Sequence, residues 1–114
     1  MSVISVRGIG GSGYLYLSKG ANFNVDITFD YKGKPQNLTY ELMMKQGILG
    51  TEYLSGKPIA SVSGASDWVT IPTTMSYRVP NEVKSGSQDI RLHIVSEDGK
   101  EEYSGWLADR IWVS

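Results

Sequence analysis

The sequence predicts an all-β fold, an antiparallel immunoglobulin-like β-sandwich in which residues 1–114 form one domain. A chain of 114 residues is long enough for one hydrophobic core and too short for two. Its thirteen glycines and four prolines separate short apolar stretches, as turns separate strands. No segment has the i, i+3, i+4, i+7 apolar spacing of an amphipathic helix, and this absence favours strands throughout.

The N-terminal region contains a glycine motif, Gly8–Gly13, whose letters match the G-x-G-x-x-G pattern of dinucleotide-binding proteins. That pattern requires a helix directly after it, because the N-terminal amides of the helix face the pyrophosphate. The residues that follow, Tyr14–Gly20, alternate as in a strand instead. We therefore interpret the glycines as a flexible connection or a bulge between the first two strands, and we expect no cofactor.

Two alternating segments follow, joined by a turn. Apolar residues alternate with polar ones in Phe23–Phe29 and in Leu38–Met44, so each segment is expected to be a strand with one face toward a core. Between them, Gly33 can adopt positive φ and Pro35 cannot donate a ladder hydrogen bond. A hairpin-like reversal is therefore expected at residues 30–35.

The middle of the chain has no countable period, because Ser, Gly and Thr interrupt each apolar group. Short strands are predicted there at Ile59–Val62, Trp68–Ile71 and Met75–Val79. The last third is more regular. Asp89–Val95 alternates, and Asp98-Gly99 is a hairpin signal that precedes a final extended stretch from Tyr103 to Val113.

Charge and hydropathy argue against two classes of partner. Eleven basic and twelve acidic residues give a formal charge of −1 and are interspersed, so no basic patch for nucleic acid is expected. The N-terminus lacks the apolar stretch and cleavage site of a signal peptide, and no run approaches the ~20 apolar residues of a membrane span. We therefore expect neither nucleic acid nor membrane as a partner.

Candidates for catalytic and metal-binding chemistry are few. The chain has no cysteine, and its single histidine, His93, is expected on the strand face opposite Leu92 and Ile94, exposed to solvent or at an interface. No nucleophile or orienting acid is identifiable for it, so no enzyme and no transition-metal site are expected. An oxygen-only calcium site remains an open alternative. Nothing singles out a catalytic pair among the carboxylates Asp26, Asp30, Glu41 and Glu52.

The C-terminal segment, read as an extended chain, carries large apolar groups on both faces. One face holds Trp106, Ala108, Arg110 and Trp112, and the other holds Leu107, Asp109, Ile111 and Val113. Aromatic and arginine side chains are enriched in the cores of interfaces. We therefore predict that Trp106, Arg110 and Trp112 contact a partner and that the second face enters the core. In the alternative reading, loops of the domain itself cover both tryptophans.

The two ends of the chain resemble small virion proteins of tailed bacteriophages. The resemblance covers about half of the residues, in the segments Lys19–Phe23, Asp26–Thr28, Gly33–Pro35, Asn37–Thr39, Gly86–Leu92, Asp98-Gly99, Gly105–Leu107 and Ile111–Val113. It implies an immunoglobulin-like module at a tail, baseplate, neck or capsid-decorating position, with no catalytic residues.

The function expected from this resemblance is that of a non-enzymatic structural component of a bacteriophage particle. Its partners would be other virion proteins and copies of itself, bound through protein–protein contacts during assembly. It would be made in the host cytoplasm and located in the virion. The alternative is a carbohydrate- or surface-binding β-sandwich module, since Tyr and Trp rings can stack on sugars.

Overall fold

The computed structural model describes residues 3–10, 15–47 and 49–114, with the backbone alone for residues 3, 5–10 and 108–110. The described residues form ten strands and no helix, so the all-β prediction is confirmed. No helix in them is long and apolar enough to cross a membrane. In chain order the strands are β1 (Val3–Gly10), β2 (Leu15–Leu17), β3 (Asn22–Gly33), β4 (Gln36–Lys45), β5 (Tyr53–Gly56), β6 (Ile59–Val62), β7 (Ala65–Arg78), β8 (Gly86–Ser96), β9 (Glu101–Tyr103) and β10 (Leu107–Val113).

These strands form two sheets. The smaller sheet has the order β1-β3-β7, and the larger sheet has the order β2-β10-β8-β4-β5, with β6 also paired to β4 and β9 to β8. Every described pair is antiparallel except β2 with β10, which is parallel and places Tyr16 opposite Trp112. The prediction of a purely antiparallel architecture is therefore wrong for this pair. The two strands come from opposite ends of the chain, so no turn between them could indicate their direction.

One hydrophobic core lies between the two sheets. The side chains predicted to face it are buried, in β3 (Phe23, Val25, Ile27, Phe29), in β4 (Leu38, Tyr40, Leu42, Met44) and in β8 (Ile90, Leu92, Ile94). The rings of Phe29 and Tyr40 lie 5.9 Å apart across the two sheets. The Tyr77 hydroxyl donates a hydrogen bond to the Tyr40 carbonyl at 2.9 Å. These contacts join the sheets at the centre of the core.

Both predicted chain reversals are present, but only the reversal at Asp98-Gly99 is a hairpin. β8 and β9 pair antiparallel and form a hairpin through Gly99 at φ 87°. The reversal at residues 30–35 is not a hairpin, because β3 and β4 do not pair and this turn instead carries the chain from the smaller sheet to the larger sheet. The Gln36 amide donates to the Tyr31 hydroxyl at 2.7 Å, and its oxygen accepts a bond from the Asp98 N–H at 3.3 Å. Because Gln36 is buried, these bonds satisfy its amide while they connect the two turns.

The glycine motif lies partly in a strand. Gly8–Gly10 belong to β1, where the pairing with β3 shifts between Val6 and Gly8. This irregularity agrees with the bulge that was one of the two expected roles. Residues 11–13 of the motif lie outside the described residues, and the next described element is the strand β2.

One strand, β7, replaces two that were predicted separately. Pro72 interrupts its apolar pattern, but an edge strand tolerates proline where the missing N–H would face away from the neighbouring strand. In the described chain β7 pairs only with β3. The Arg78 carbonyl faces away from β3, since it accepts a hydrogen bond from Ser55 Oγ at 2.6 Å. The pairing with β3 has no register shift between Arg78 and Pro72. Backbone groups an even number of residues apart point to the same side of a strand, so the Pro72 nitrogen also faces the open edge.

Candidate functional site

The outer face of the larger sheet is the surface turned away from the core. Of the nine large apolar side chains that are exposed among the described residues, five lie on it: Tyr16, Leu54, Ile59, Tyr103 and Trp112. Exposed apolar side chains concentrated on one face are typical of a binding surface. This face is therefore the candidate functional site.

The C-terminal strand contributes to both faces of the larger sheet, as its alternation predicts. Ile111 and Val113 are buried, and Leu107 packs against the same core. Trp112 points outward and is 48% exposed, so the described loops do not cover it. The side chain of Arg110, the third predicted interface residue, lies outside the described residues.

Trp106 lies just before β10 and is half-buried in a cation–aromatic row on the outer face. Lys45 Nζ is 4.1 Å from the centroid of its ring, and the Arg91 guanidinium is 4.7 Å from it. Arg91 also lies 4.6 Å from the Tyr103 ring, and the His93 imidazole stacks on Tyr103 at 4.0 Å with an interplanar angle of 5°. Trp106 is therefore held by its own chain, which favours the alternative reading for this tryptophan.

Three carboxylates contact His93 and Arg91 in this row. Glu41 and Glu101 face opposite ring nitrogens of His93, at 3.4 Å from Nδ1 and 3.0 Å from Nε2, and Glu52 pairs with Arg91 at 3.2 Å. Carboxylates on opposite sides of the ring cannot converge on one ion. Within the described residues, no group of three His, Asp or Glu side chains is arranged to hold a metal.

His93 lies on the outer face, but Tyr103 and neighbouring side chains leave it only 9% exposed. Nucleophilic catalysis requires a hydroxyl or thiol at one ring nitrogen and an orienting acid at the other. Here a carboxylate faces each nitrogen. Sequence reasoning placed His93 on the correct face, but the expected exposure to solvent is wrong, because Tyr103 stacks on the ring. Glu41 and Tyr103 lie opposite His93 only through the strand register, which the local pattern does not show.

Trp112 and Tyr16 differ from the two rings of the row, Tyr103 and Trp106, each of which contacts a basic side chain. Tyr16 is 78% exposed, and the strand register places it directly opposite Trp112. Neighbouring strands lie about 4.8 Å apart, so the two side chains are adjacent on the outer face. The described residues provide no stacked ring or cation contact to either of them. This aromatic pair is therefore the part of the candidate site that is free to bind.

Comparisons with known proteins leave the family open. No protein-family model matches the sequence, and no curated protein matches it. Among solved structures, the chain resembles Spo0M, a sporulation control protein from Bacillus subtilis, with a TM-score of 0.40 and 12% sequence identity. The match covers 99% of this chain and 48% of Spo0M, so the chain spans about half the length of that protein. We draw no functional conclusion from this likeness.

The four carboxylates considered for catalysis are divided between the two sheets. Asp26 and Asp30 accept hydrogen bonds from Thr74 and Thr70 on the outer face of the smaller sheet, at 2.8 and 2.6 Å. By contrast, Glu41 and Glu52 lie on the larger sheet, where Glu41 contacts His93 and Glu52 pairs with Arg91. The core separates the two groups, so they do not form one acid pair.

Proposed function

We propose that the protein is a non-enzymatic binding module that acts through protein–protein contacts of the aromatic pair, Tyr16 and Trp112. The observation that carries this proposal is the exposure of two adjacent rings that no described cation or ring contacts, on the same face as a row of rings that such contacts hold in place. Large aromatic side chains dominate the energetics of protein interfaces. Exposed Leu54 and Ile59 extend the apolar surface across the same sheet, which suits a broad protein partner.

The proposal extends to the fold type and the setting. Two sheets around one core support an immunoglobulin-like β-sandwich. The resemblance of both chain ends to small tailed-phage proteins supports a place in a virion, where other virion proteins and further copies of this chain would be the partners. Protein mass spectrometry of purified particles tests the setting. Particles without stoichiometric copies of the chain would exclude it.

The interface itself is tested by comparing two exposed tryptophans. Trp112→Ala removes a ring from the aromatic pair, while Trp68→Ala removes one that is 47% exposed on the smaller sheet. We expect both variants to keep their stability within about 1 kcal/mol, because neither side chain is buried in the core. Only Trp112→Ala should lose incorporation into assembled particles, measured by quantitative mass spectrometry. Equal incorporation of the two variants would argue against this interface.

A carbohydrate- or surface-binding function is the second candidate. The observation that favours it is the same adjacent pair of exposed rings, since aromatic faces can stack on sugar rings. It predicts saturable binding on a glycan array that Trp112→Ala abolishes and Trp68→Ala retains. An array and calorimetry without signal above background would remove this candidate.

A further inference from the structure

A polar cleft lies where the β4–β5 and β7–β8 connections meet. Its volume is about 330 Å³, which is in the range of small-molecule sites. Gln46, Thr51 and Tyr53 border it from the first connection and from β5, and Lys84 and Gln88 border it from the second connection and from β8. The Gln46 amide donates to the Ser85 carbonyl at 2.9 Å, so a hydrogen bond links the two sides.

The Gln88 side chain is a buried group with one unmet hydrogen-bonding requirement. It is 1% exposed, and its Nε2 donates to the carbonyls of Lys84 at 2.7 Å and Gly86 at 3.4 Å. These two acceptors determine the orientation of the amide, because a flipped amide would place Oε1 against two carbonyl oxygens. Oε1 is thereby left buried with no hydrogen-bond partner among the described residues. A buried acceptor of this kind is stabilised by an incoming donor.

The side chains that line the cleft favour a negatively charged ligand. Lys84 is the one charged residue among the described residues that line the cleft, and no carboxylate lines it. Tyr53 is half-buried and packs against the core, so it provides an ordered wall with an aromatic face. The lining therefore combines an acceptor that needs a donor, a cation and an aromatic ring.

We propose that this cleft binds a small hydroxylated carboxylate of the sugar-acid class. A ligand hydroxyl donates to Gln88 Oε1, the ligand carboxylate pairs with Lys84, and the sugar ring lies against Tyr53. The site does not depend on the aromatic pair, because Gln88 and Trp112 lie on opposite faces of the larger sheet. Gln88 is on the buried face and Trp112 is on the outer face.

Titration of the ¹⁵N-labelled protein with glucuronate, followed by NMR, tests the site, with glucose as the neutral probe. A hydrogen bond accepted at Oε1 should shift the side-chain amide resonances of Gln88 in a saturable manner, together with the backbone resonances of Lys84 and Thr51. Glucose should bind about tenfold more weakly, because it lacks the carboxylate. Absence of a saturable shift at Gln88 with millimolar glucuronate, or equal affinity for the two sugars, would overturn the proposal.

Variants separate this site from the proposed interface. Lys84→Gln removes the charge of an exposed side chain and should weaken glucuronate binding about tenfold. Lys57→Gln, which is also exposed but lies outside the cleft, should leave the affinity unchanged. So should Trp112→Ala, whatever its effect on assembly. Gln88→Met should abolish binding, and if this variant fails to fold, an unchanged affinity in Lys84→Gln would still refute the site.

Discussion

Arg91 illustrates how a single side chain organises the outer face of the larger sheet. Its guanidinium lies over the rings of Tyr103 and Trp106 and also pairs with Glu52. Its Nε is buried without a hydrogen-bond partner among the described residues, so the rings, rather than polar groups, surround that part of the side chain. A planar, weakly hydrated cation is suited to such stacking, and a compact ammonium is not.

Replacement of this cation tests whether stacking or ion pairing holds it. We expect Arg91→Lys to lower the free energy of unfolding by about 1 kcal/mol, because the planar contacts with two rings are lost. Urea denaturation measures the change. Glu52→Gln removes only the exposed ion pair and should cost less than about 0.5 kcal/mol. Equal losses in the two variants would assign the role to the ion pair.

At the scale of elements, the turn between β8 and β9 combines a backbone requirement with side-chain bonds. Ser96 Oγ donates to the Asp98 carboxylate and accepts a hydrogen bond from the Lys100 N–H at 2.9 Å. Gly99 adopts φ 87°, in the left-handed region that residues with a Cβ rarely occupy. The Asp-Gly pair in the sequence therefore predicted the turn correctly, for a local steric reason.

Two glycines allow this conformational effect to be isolated. A Cβ at Gly99 or at Gly105 would meet nothing within 4 Å, but only Gly99 has a positive φ. We expect Gly99→Ala to lower the free energy of unfolding by about 1 kcal/mol and Gly105→Ala to change it by less than about 0.5 kcal/mol. Thermal or urea unfolding measures both values. A similar loss in the two variants would mean that the turn conformation is not the cause.

At the scale of the whole molecule, the core contains two tyrosines whose ionisation opposes folding. Burial raises the pKa of Tyr40 from 10.0 to about 12. Burial also raises the pKa of Tyr77, and the charge of an ionised Tyr40 raises it further. Tyr77 connects the sheets through its bond to the Tyr40 carbonyl, so ionisation would place charge where the two layers meet.

Stability should consequently fall in alkaline solution. The unfolded tyrosine loses its proton near pH 10 and the folded Tyr40 near pH 12, so the unfolded state is favoured as the pH rises between these values. Tyr40 alone should account for a loss of about 2–3 kcal/mol, measured by urea unfolding at each pH. Tyr40→Phe should reduce the slope. Phe29→Leu, which alters the same core without removing a phenol, should lower stability at every pH and leave the slope unchanged.

Much of the fold could be predicted from local pattern. Strand alternation assigned Phe29, Leu42 and Leu92 to the core, and it placed His93 and Trp112 on the opposite face. These assignments succeeded because alternation of side chains is a property of each strand by itself. The division of β7 into two predicted strands failed, because the tolerance of Pro72 depends on its position at a sheet edge.

The candidate sites could be predicted only in part, because they depend on which strands become neighbours. The sequence by itself determined the all-β class, the faces of the main strands and the hairpin turn at Asp98-Gly99, since each follows from local sterics or from the two-residue period. Only the tertiary structure decided that β2 runs parallel to β10 and places Tyr16 beside Trp112. It also decided that Gln88 borders a cleft with an unpaired oxygen. Such juxtapositions arise from pairing between distant segments, which the pattern of any one strand does not encode.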